Sequence, residues 1–459
     1  MANGKSLSRV QVAMEAIRER AAIAPGVRLP SIRRLAEQLQ ISKSTIVEAY
    51  DRLVAEGAVE ARRGSGFFAA ARVRPFKLKE SGLQFDRAID PLWIVRQAFA
   101  SKNDTLQPGS GWLPDDWLAG DMLRRVLRGI SRDEGANLTA YGTLQGFLPL
   151  REQLARRLNA RNIAAQPSNI FLTDSATRAI DIVCRFLLQP GDTVLIDDPC
   201  YFNFRYMLQA QRVHMVGVRY TPNGPDLEHF AAVCTEHRPK LYLTTAVLQN
   251  PTGANVSLGT AHRLLKLAEI YDLILIEDSI YADLENRPSP GLAALDGFER
   301  VILIGSFSKT LTGASRCGFI VARSDWIEGL TDLALATSFG TNDLAAQATY
   351  RLLIDGSYRS HLDALRPRIA RAMAFTAEHL DRLGFTLWTR PESGMFLWAK
   401  LPNKLDSSEI ATRALERGLV LAPGNVFSVS QTANEYLRFN VTQCVNKRVF
   451  DVLAETMRA

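Results

Sequence analysis

A lysine flanked by hydroxyls stands just past an apolar run: Gly305-Ser306-Phe307-Ser308-Lys309-Thr310 follows VILI. Such an amine condenses with an aldehyde to a Schiff base, while serine hydroxyls hold a phosphate. Alone, the motif is no more than a surface lysine in a loop. Further groups change that. Asp278 closes the run LILIED, and a carboxylate facing a pyridinium nitrogen keeps the ring protonated and electron-withdrawing. Tyr281 follows three residues later. Asn250, in Asn250-Pro251-Thr252-Gly253 after LYLTTAV, carries an amide that can donate to a phenolate oxygen beside the aldehyde. Tyr201, in Asp198-Pro199-Cys200-Tyr201, offers a ring for stacking. Ser175, Ala176 and Thr177 separate IFLT from the helical stretch RAIDIVCRFLL. Their backbone N–H groups sit at a helix N-terminus, where an anionic phosphate is favoured. Arg316, seven residues past Lys309, adds positive charge for that phosphate. Asp174 directly precedes the segment and is unfavourable there unless it points away. Singly, Tyr201 is an ordinary core ring and Lys309 a solvated cation; their joint order and spacing carry the reading.

These groups need a frame, and the chain supplies one. Apolar runs at 170–173, 194–196, 213–218, 241–246, 273–276, 301–304 and 319–321 read as strands, several of them separated by helical stretches. Buried runs alternating with helices indicate an α/β fold with a mostly parallel sheet covered on both faces. In such sheets ligands bind beyond the strand ends, where every group named above falls. The last hundred or so residues mix helices with short strands at 395–399 and 436–440 and read as a smaller α+β subdomain.

The first 70 residues are different. Residues 8–22 have apolar side chains at helical spacing (Val10, Ala13, Met14, Ile17). After a break at Pro25-Gly26 and Pro30, Ser31 can cap a second helix, IRRLAEQLQ. Ser42 can cap a third, KSTIVEAYDRLVAEG, with Ile46, Ala49, Tyr50, Leu53 and Val54 as its apolar face. The stretch AVEARRGSGFFAA reads as two strands joined at Arg63-Gly64-Ser65-Gly66. Three helices and a hairpin describe a winged helix-turn-helix, whose third helix enters the major groove N-terminal end first. That end is Ser42-Lys43-Ser44-Thr45. Arg33 and Arg34 are placed for a backbone phosphate, and Arg62, Arg63 and Gly64 for the adjacent groove. Residues 1–75 carry 13 Lys and Arg against 7 Asp and Glu, which accounts for six of the chain's net charge of +7. Concentrated positive charge suits double-stranded DNA.

The stretch RLPSIRRLAEQLQISKSTIVEAYDRLVAEGAVEARRGSGFF resembles the GntR class of winged-helix DNA-binding domains. Residues 105–455 resemble the fold-type I aminotransferases that bind pyridoxal 5′-phosphate (PLP). That resemblance implies Lys309 as the Schiff-base lysine, Asp278 as the pyridinium partner, Asn250 and Tyr281 as partners of the phenolic oxygen, and Tyr201 as the stacking ring. It implies a phosphate cup of Ser175, Ala176, Thr177, Ser306, Ser308 and Arg316. Tyr141, in YGTLQGFLPLREQLARRL, matches the tyrosine that reaches a neighbouring subunit's phosphate, and Arg438, in YLRFNVTQC, the arginine that clamps a substrate carboxylate. The phosphate segment lacks the glycine of many relatives, and TLTGAS after Lys309 lacks their proline. Together the halves resemble the MocR/GabR group of bacterial transcription regulators. The expected organisation is a DNA-binding head at 1–70, a linker at 71–94 and a PLP-binding body at 95–459. The implied assembly is a homodimer that answers a small amine or amino-acid effector, or PLP itself. An active aminotransferase with an autoregulatory head is the alternative, and a body that has lost PLP and only dimerises is a third reading, opposed by the intact Lys309, Asp278 and Asn250.

Composition excludes other classes. Apolar residues make up 47% and charged residues 22%, an ordinary globular balance rather than a disordered one. The five cysteines (Cys184, Cys200, Cys234, Cys317, Cys444) form no CxxC pair, so neither a disulfide framework nor a metal site is expected. No apolar stretch approaches the ~20 residues of a membrane helix, and the N-terminus lacks a signal-peptide core. A cytoplasmic protein without membrane partners is the expectation.

Overall fold

The computed structural model describes residues 8–23, 26–62, 64–70, 105–136, 138–139 and 141–458. Arg63, the linker expected at 71–94 and the start of the expected body at 95–104 lie outside the described residues. The chain divides into two compact units between residues 77 and 78.

The smaller unit holds α1 (Arg9–Ile23), α2 (Ile32–Leu39), α3 (Lys43–Ala55) and an antiparallel hairpin of β1 (Val59–Arg62) and β2 (Gly66–Ala69). Serine hydroxyls start both later helices. Ser31 Oγ accepts from the Arg34 N–H at 3.3 Å, and Ser42 Oγ from the Thr45 N–H at 3.2 Å. Ile46, Ala49, Tyr50 and Leu53 pack against Ala13, Ile17 and Leu35. Val54, expected on that face, stands exposed. It is one position past the i, i+3, i+4, i+7 stripe and falls at its rim. Tyr50 ties the helices to the wing: its hydroxyl donates to the Pro30 carbonyl at 2.7 Å, and its ring stacks on Phe67 at 4.1 Å.

The larger unit is built on an eight-stranded sheet. Its strands are β3 (Ile170–Thr173), β4 (Thr193–Asp198), β5 (His214–Thr221), β6 (Gly224–Pro225), β7 (Leu241–Thr244), β8 (Ile274–Asp278), β9 (Val301–Ser306) and β10 (Gly318–Val321), in the order β3-β10-β9-β8-β7-β4-β5-β6. Neighbours from β9 through β5 are parallel; β10 runs antiparallel to both β9 and β3. Strands β3, β9, β8, β7, β4 and β5 therefore share one direction, and their carboxyl ends share one edge. Side chains alternate between two cores. Tyr242, Leu275 and Leu303 enter one, and Leu241, Leu243, Ile276 and Ile304 the other. Burial on both faces is why these strands read as continuous apolar runs. Among the described residues no helix is long and apolar enough to cross a membrane.

A second sheet, antiparallel throughout, orders β11 (Thr386–Leu387), β12 (Phe396–Lys400), β14 (Tyr436–Asn440) and β13 (Ala422–Pro423) as β11-β12-β14-β13. A segment distant in sequence joins it. Leu106 bridges Leu419, the Gly109 N–H donates to the Val420 carbonyl at 2.9 Å, and the Asn440 N–H to the Pro108 carbonyl at 2.7 Å. Residues 106–112 thus form a strap along this sheet. Gly109 lets it lie so close: a Cβ there would stand 2.4 Å from the Leu421 carbonyl carbon.

Gly318 has the same role beneath the helix Ala176–Leu187. A Cβ on it would stand 2.6 Å from the Ser175 carbonyl carbon and 2.9 Å from the Ala176 nitrogen. Overpacking against backbone costs about 1–3 kcal/mol. Gly318→Ala is therefore expected to lower the unfolding free energy of the larger unit by that amount, read as a lower urea midpoint at unchanged slope, with the far-ultraviolet spectrum unchanged.

Candidate functional site

The carboxyl edge of the large sheet opens into a cavity of about 720 Å³. Each strand delivers its group. Ser175 follows β3, Tyr201 follows β4, Asn250 follows β7, Asp278 ends β8, and Ser308 and Lys309 follow β9; all six line the cavity. So do Ala176, Thr177, Tyr281 and Arg316. The turn after β4 is anchored from below. Buried Asp197 accepts from the hydroxyls of Tyr242 and Thr244, and Asp198 accepts from the Val429 and Ser430 N–H groups at 3.1 and 2.9 Å.

One end of the cavity is a cradle of donors. Ser175 caps the helix Ala176–Leu187, its hydroxyl accepting from the Arg178 N–H at 3.1 Å. The first turn of that helix and exposed Arg316 face the same space, where an anion is favoured. Asp174 does not line the cavity. Ser306, expected in the cradle, does not line it either. Its hydroxyl donates to the Cys317 carbonyl at 2.9 Å and lies 3.0 Å from Ser308 Oγ, and it faces a small cavity of about 80 Å³ behind the sheet. The cause is local: the last residue of β9 lies opposite Gly318 of the antiparallel β10, and the Cys317 carbonyl takes its hydroxyl.

Titration is displaced in the middle of the cavity. Burial pushes the Asp278 carboxyl up to about 7, against the opposing pull of the Ile280 N–H at 3.1 Å and of the Lys309 charge. Burial, then repulsion from Arg438, lowers the Lys309 amine to about 8; Asp278 pulls the other way. Its Nζ donates to the Gly111 carbonyl at 2.7 Å. Desolvation also lifts the Tyr201 and Tyr281 hydroxyls above the ordinary phenol value, so both stay neutral.

A smaller recess adjoins this point, lined by Gly109–Trp112, Tyr201, Asn250, Lys309 and Arg438. Arg438, on β14, is 2% exposed. Its guanidinium is held by neutral groups: Nη1 donates to Asn250 Oδ1 at 2.9 Å, Nη2 to the Gly109 carbonyl at 2.6 Å, and the rings of Phe396 and Phe427 lie at 4.5 and 4.8 Å. Nε has no partner among the described residues. A buried cation held only by carbonyls and rings is costly and welcomes an anion. Asn250 links this arginine to Tyr281, its Nδ2 donating to the phenol oxygen at 3.4 Å. Tyr141 is elsewhere, 82% exposed on the surface and edge-on to Phe339 at 5.3 Å. The strap residues Gly109–Trp112, and Phe396 and Phe427 around Arg438, were not foreseen. Only the glycine-rich spelling PGSGW hinted at a close backbone approach.

In the smaller unit Ser42, Lys43 and Ser44 are exposed at the start of α3, and Thr45 is half-buried. The Ser42 hydroxyl is occupied by its cap and by Ser44 Oγ and Thr45 Oγ1 at 2.9 and 2.7 Å. Arg33 pairs with Glu37, and Arg62 pairs with Glu60 and lies over the Phe68 ring. Arg34 and Gly64 are exposed.

The model of the class I and II aminotransferases matches residues 109–456, and that of the gntR family of bacterial regulatory proteins matches residues 14–69. The chain is 26% identical to the HTH-type transcriptional regulator YdfD of Bacillus subtilis, over 90% of its own length and 88% of that protein. It is 27% identical to the probable rhizopine catabolism regulatory protein MocR of Rhizobium meliloti, over 86% and 82%. It is 30% identical to 2-aminoadipate transaminase of Thermus thermophilus, over 68% and 79%. A kynurenine aminotransferase of Pyrococcus horikoshii superposes with a TM-score of 0.75 at 26% identity, over 84% of this chain and 97% of that one.

The displaced titrations have measurable consequences. Lys309 is expected to react with an amine-directed reagent with a midpoint near pH 8, against ~10.4 for exposed lysines. Peptide mass spectrometry across pH reads this. Asp278→Asn removes the charge that holds the amine up, so the midpoint moves lower still. The raised Asp278 carboxyl keeps its proton in the folded chain between about 4 and about 7, so folded stability is lost as pH rises through that window. Asp278→Asn is therefore expected to stabilise the ligand-free protein at pH 8 by about 1 kcal/mol, seen as a higher Tm, and to have little effect at pH 4.

Proposed function

This chain belongs to the class I and II aminotransferase family and carries a gntR-family head ahead of that domain, and on this premise we propose that it is a transcriptional regulator of the MocR kind, which binds duplex DNA through the head and senses an amino-acid effector through a PLP-bearing body. The observation that carries the reading is the convergence of Asp278, Lys309, Asn250 and Tyr281 on one cavity, with a helix N-terminus and Arg316 at its end. The donor set fits PLP: a cradle for a dianion, a buried carboxylate for a ring nitrogen, an amide and a phenol for a ring oxygen, and a depressed amine. A relative, the α-aminoadipate aminotransferase of Thermus thermophilus, holds N-(5′-phosphopyridoxyl)-L-leucine.

PLP, when bound, supplies an aldehyde that amines condense with and a pyridinium ring that withdraws electrons. The protein's part follows from its own groups. Ser175, Ala176, Thr177, Ser308 and Arg316 would hold the phosphate. Asp278, whose ionised form a ring cation would favour, would keep the ring nitrogen protonated. Tyr201 would offer its ring face to the cofactor ring, and Asn250 and Tyr281 would donate to the ring oxygen. Lys309, its amine lowered to about 8, keeps a far larger neutral, nucleophilic fraction at physiological pH than an exposed lysine and can afterwards hold a proton. Arg438 takes the effector's carboxylate by exchanging the Gly109 carbonyl for it, and its orphaned Nε supplies a further donor. That exchange removes one of the bonds that hold the strap, which would give the effector a differential affinity for two states of the body.

In the head, Lys43, Ser44, Arg34 and the wing residues Arg62, Arg63 and Gly64 are assigned to DNA. The Ser42 hydroxyl positions the others, since its cap already uses it. Tyr141 and Phe339 are large exposed apolar side chains, and Leu138, Leu144, Leu148 and Leu344 near them in sequence are exposed too. A surface of this kind supports a homodimer, with Tyr141 reaching the partner.

The deciding experiment is an absorption spectrum of the purified protein with Lys309→Ala beside it. A visible band that borohydride removes, with the cofactor's mass retained on Lys309, is expected. Lys309→Ala should lose the band and the effector response and keep its affinity for duplexes selected from a random pool. An unaltered effector response in that variant overturns the sensing role of Lys309. Multiple turnovers of an amino acid with a keto acid, at rates typical of enzymes, favour the aminotransferase reading.

A further inference from the structure

We infer that the effector is an α-amino acid with one carboxylate and an uncharged, apolar side chain of about the size of leucine or phenylalanine. The inference rests on the proposed function and concerns the part of the cavity which that reading leaves unassigned. This outer part is walled by three segments. Trp112, Leu113 and Leu118 come from the strap and the turn after it, Phe204 and Met207 from the helix Phe202–Ala210, and Thr312–Ala314 from the loop past Lys309.

Charge decides first. Among the described residues, the cations lining the cavity and its recess are Lys309, Arg316 and Arg438. Each already has a partner in the proposed function: the aldehyde, the phosphate and the α-carboxylate. Among the described residues none remains for a second carboxylate, and an unpaired carboxylate against Trp112, Phe204 and Met207 is desolvated without compensation. For a basic side chain the cavity offers Asp115 at its mouth, which is exposed to water, where an ion pair contributes little.

Apolar area decides second. Phe204 is 3% exposed, and Trp112, Leu118 and Met207 are half-buried with faces toward the opening. A side chain laid against them leaves water for a wall already built. Burying a leucine- or phenylalanine-sized group gains about ten- to a hundred-fold in affinity over alanine. Met207 is unbranched and adaptable, so the wall accepts both shapes. Asn203, also on this wall, is polar and half-buried, and it allows a charge to be placed there without opening the core.

The test titrates the full-length, PLP-loaded protein with L-leucine, L-phenylalanine, L-alanine, L-glutamate and L-lysine, taking Kd from calorimetry and from the cofactor band. Leucine or phenylalanine is expected to bind at least ten-fold tighter than alanine, and glutamate and lysine weaker than alanine. Met207→Ala should weaken leucine and phenylalanine about ten-fold and leave alanine within two-fold. Asn203→Arg should bring glutamate up about ten-fold and leave alanine unchanged. Glutamate or lysine as the tightest ligand of the unaltered protein overturns the inference and leaves the sensor reading intact. The same holds for equal affinity across the series. A protein that takes up no PLP, or whose amino-acid affinities do not change in Arg438→Ala, overturns the proposed function, and the inference falls with it.

Discussion

Desolvation at one edge of one sheet governs the larger unit. Asp278, Lys309 and Arg438 are ionisable groups withdrawn from water, and each is moved from its ordinary ionisation chiefly by burial. An optimally stable core has no use for them there. On the proposed function each is half of an interaction that a bound group would complete: a cation for the carboxylate, an aldehyde for the amine and an anion for the guanidinium. Neutral partners hold the places meanwhile: the Gly111 carbonyl for Lys309, and the Gly109 carbonyl and the Asn250 amide for Arg438. Two of these three partners belong to the strap, so on the proposed function a bound group would compete for contacts that the strap makes.

Strand direction makes this arrangement possible. Six strands end at the same edge, and the residues just beyond five of those ends supply the cavity's polar groups. The buried polar groups below them keep the geometry fixed. Asp197 ties β4 to β7 through Tyr242 and Thr244, and Glu277 on β8 accepts from the N–H groups of Leu292 and Ala293 at 3.1 and 2.8 Å. A buried carboxylate satisfied by several donors is rigid, because any movement strands a donor or an oxygen. The smaller sheet contributes a single charged group to the recess, Arg438, and receives the strap along its edge.

The smaller unit follows a simpler logic. Among the described residues eleven buried apolar side chains form its core, and two serine caps fix where α2 and α3 begin. The basic side chains are excluded from that core by their charge and remain on its surface, several paired with glutamates on the same element. Those exposed pairs are weak and exchange readily for phosphates.

Most of the frame was legible in the sequence because it is local. Continuous apolar runs specify strands buried on both faces, the capping serines mark helix starts to the residue, and the order of Ser175, Tyr201, Asn250, Asp278 and Lys309 at run ends specifies one shared edge once the sheet is taken as parallel. Local spelling also misled in small ways. Val54 sits at a stripe's rim, and Ser306 is claimed by the carbonyl of Cys317 across the β9–β10 pair, which no spacing reveals. What the tertiary structure alone decided is the chemistry's surroundings. Gly109 and Gly111 lie some 200 residues before Lys309 and more than 300 before Arg438, yet their carbonyls hold both cations. The rings of Phe396 and Phe427 close on the same guanidinium from two further segments. A sequence determines which groups are present and which strand end each follows. The charge each group carries, and what must move when a ligand arrives, depend on how much water the assembled fold removes from around it.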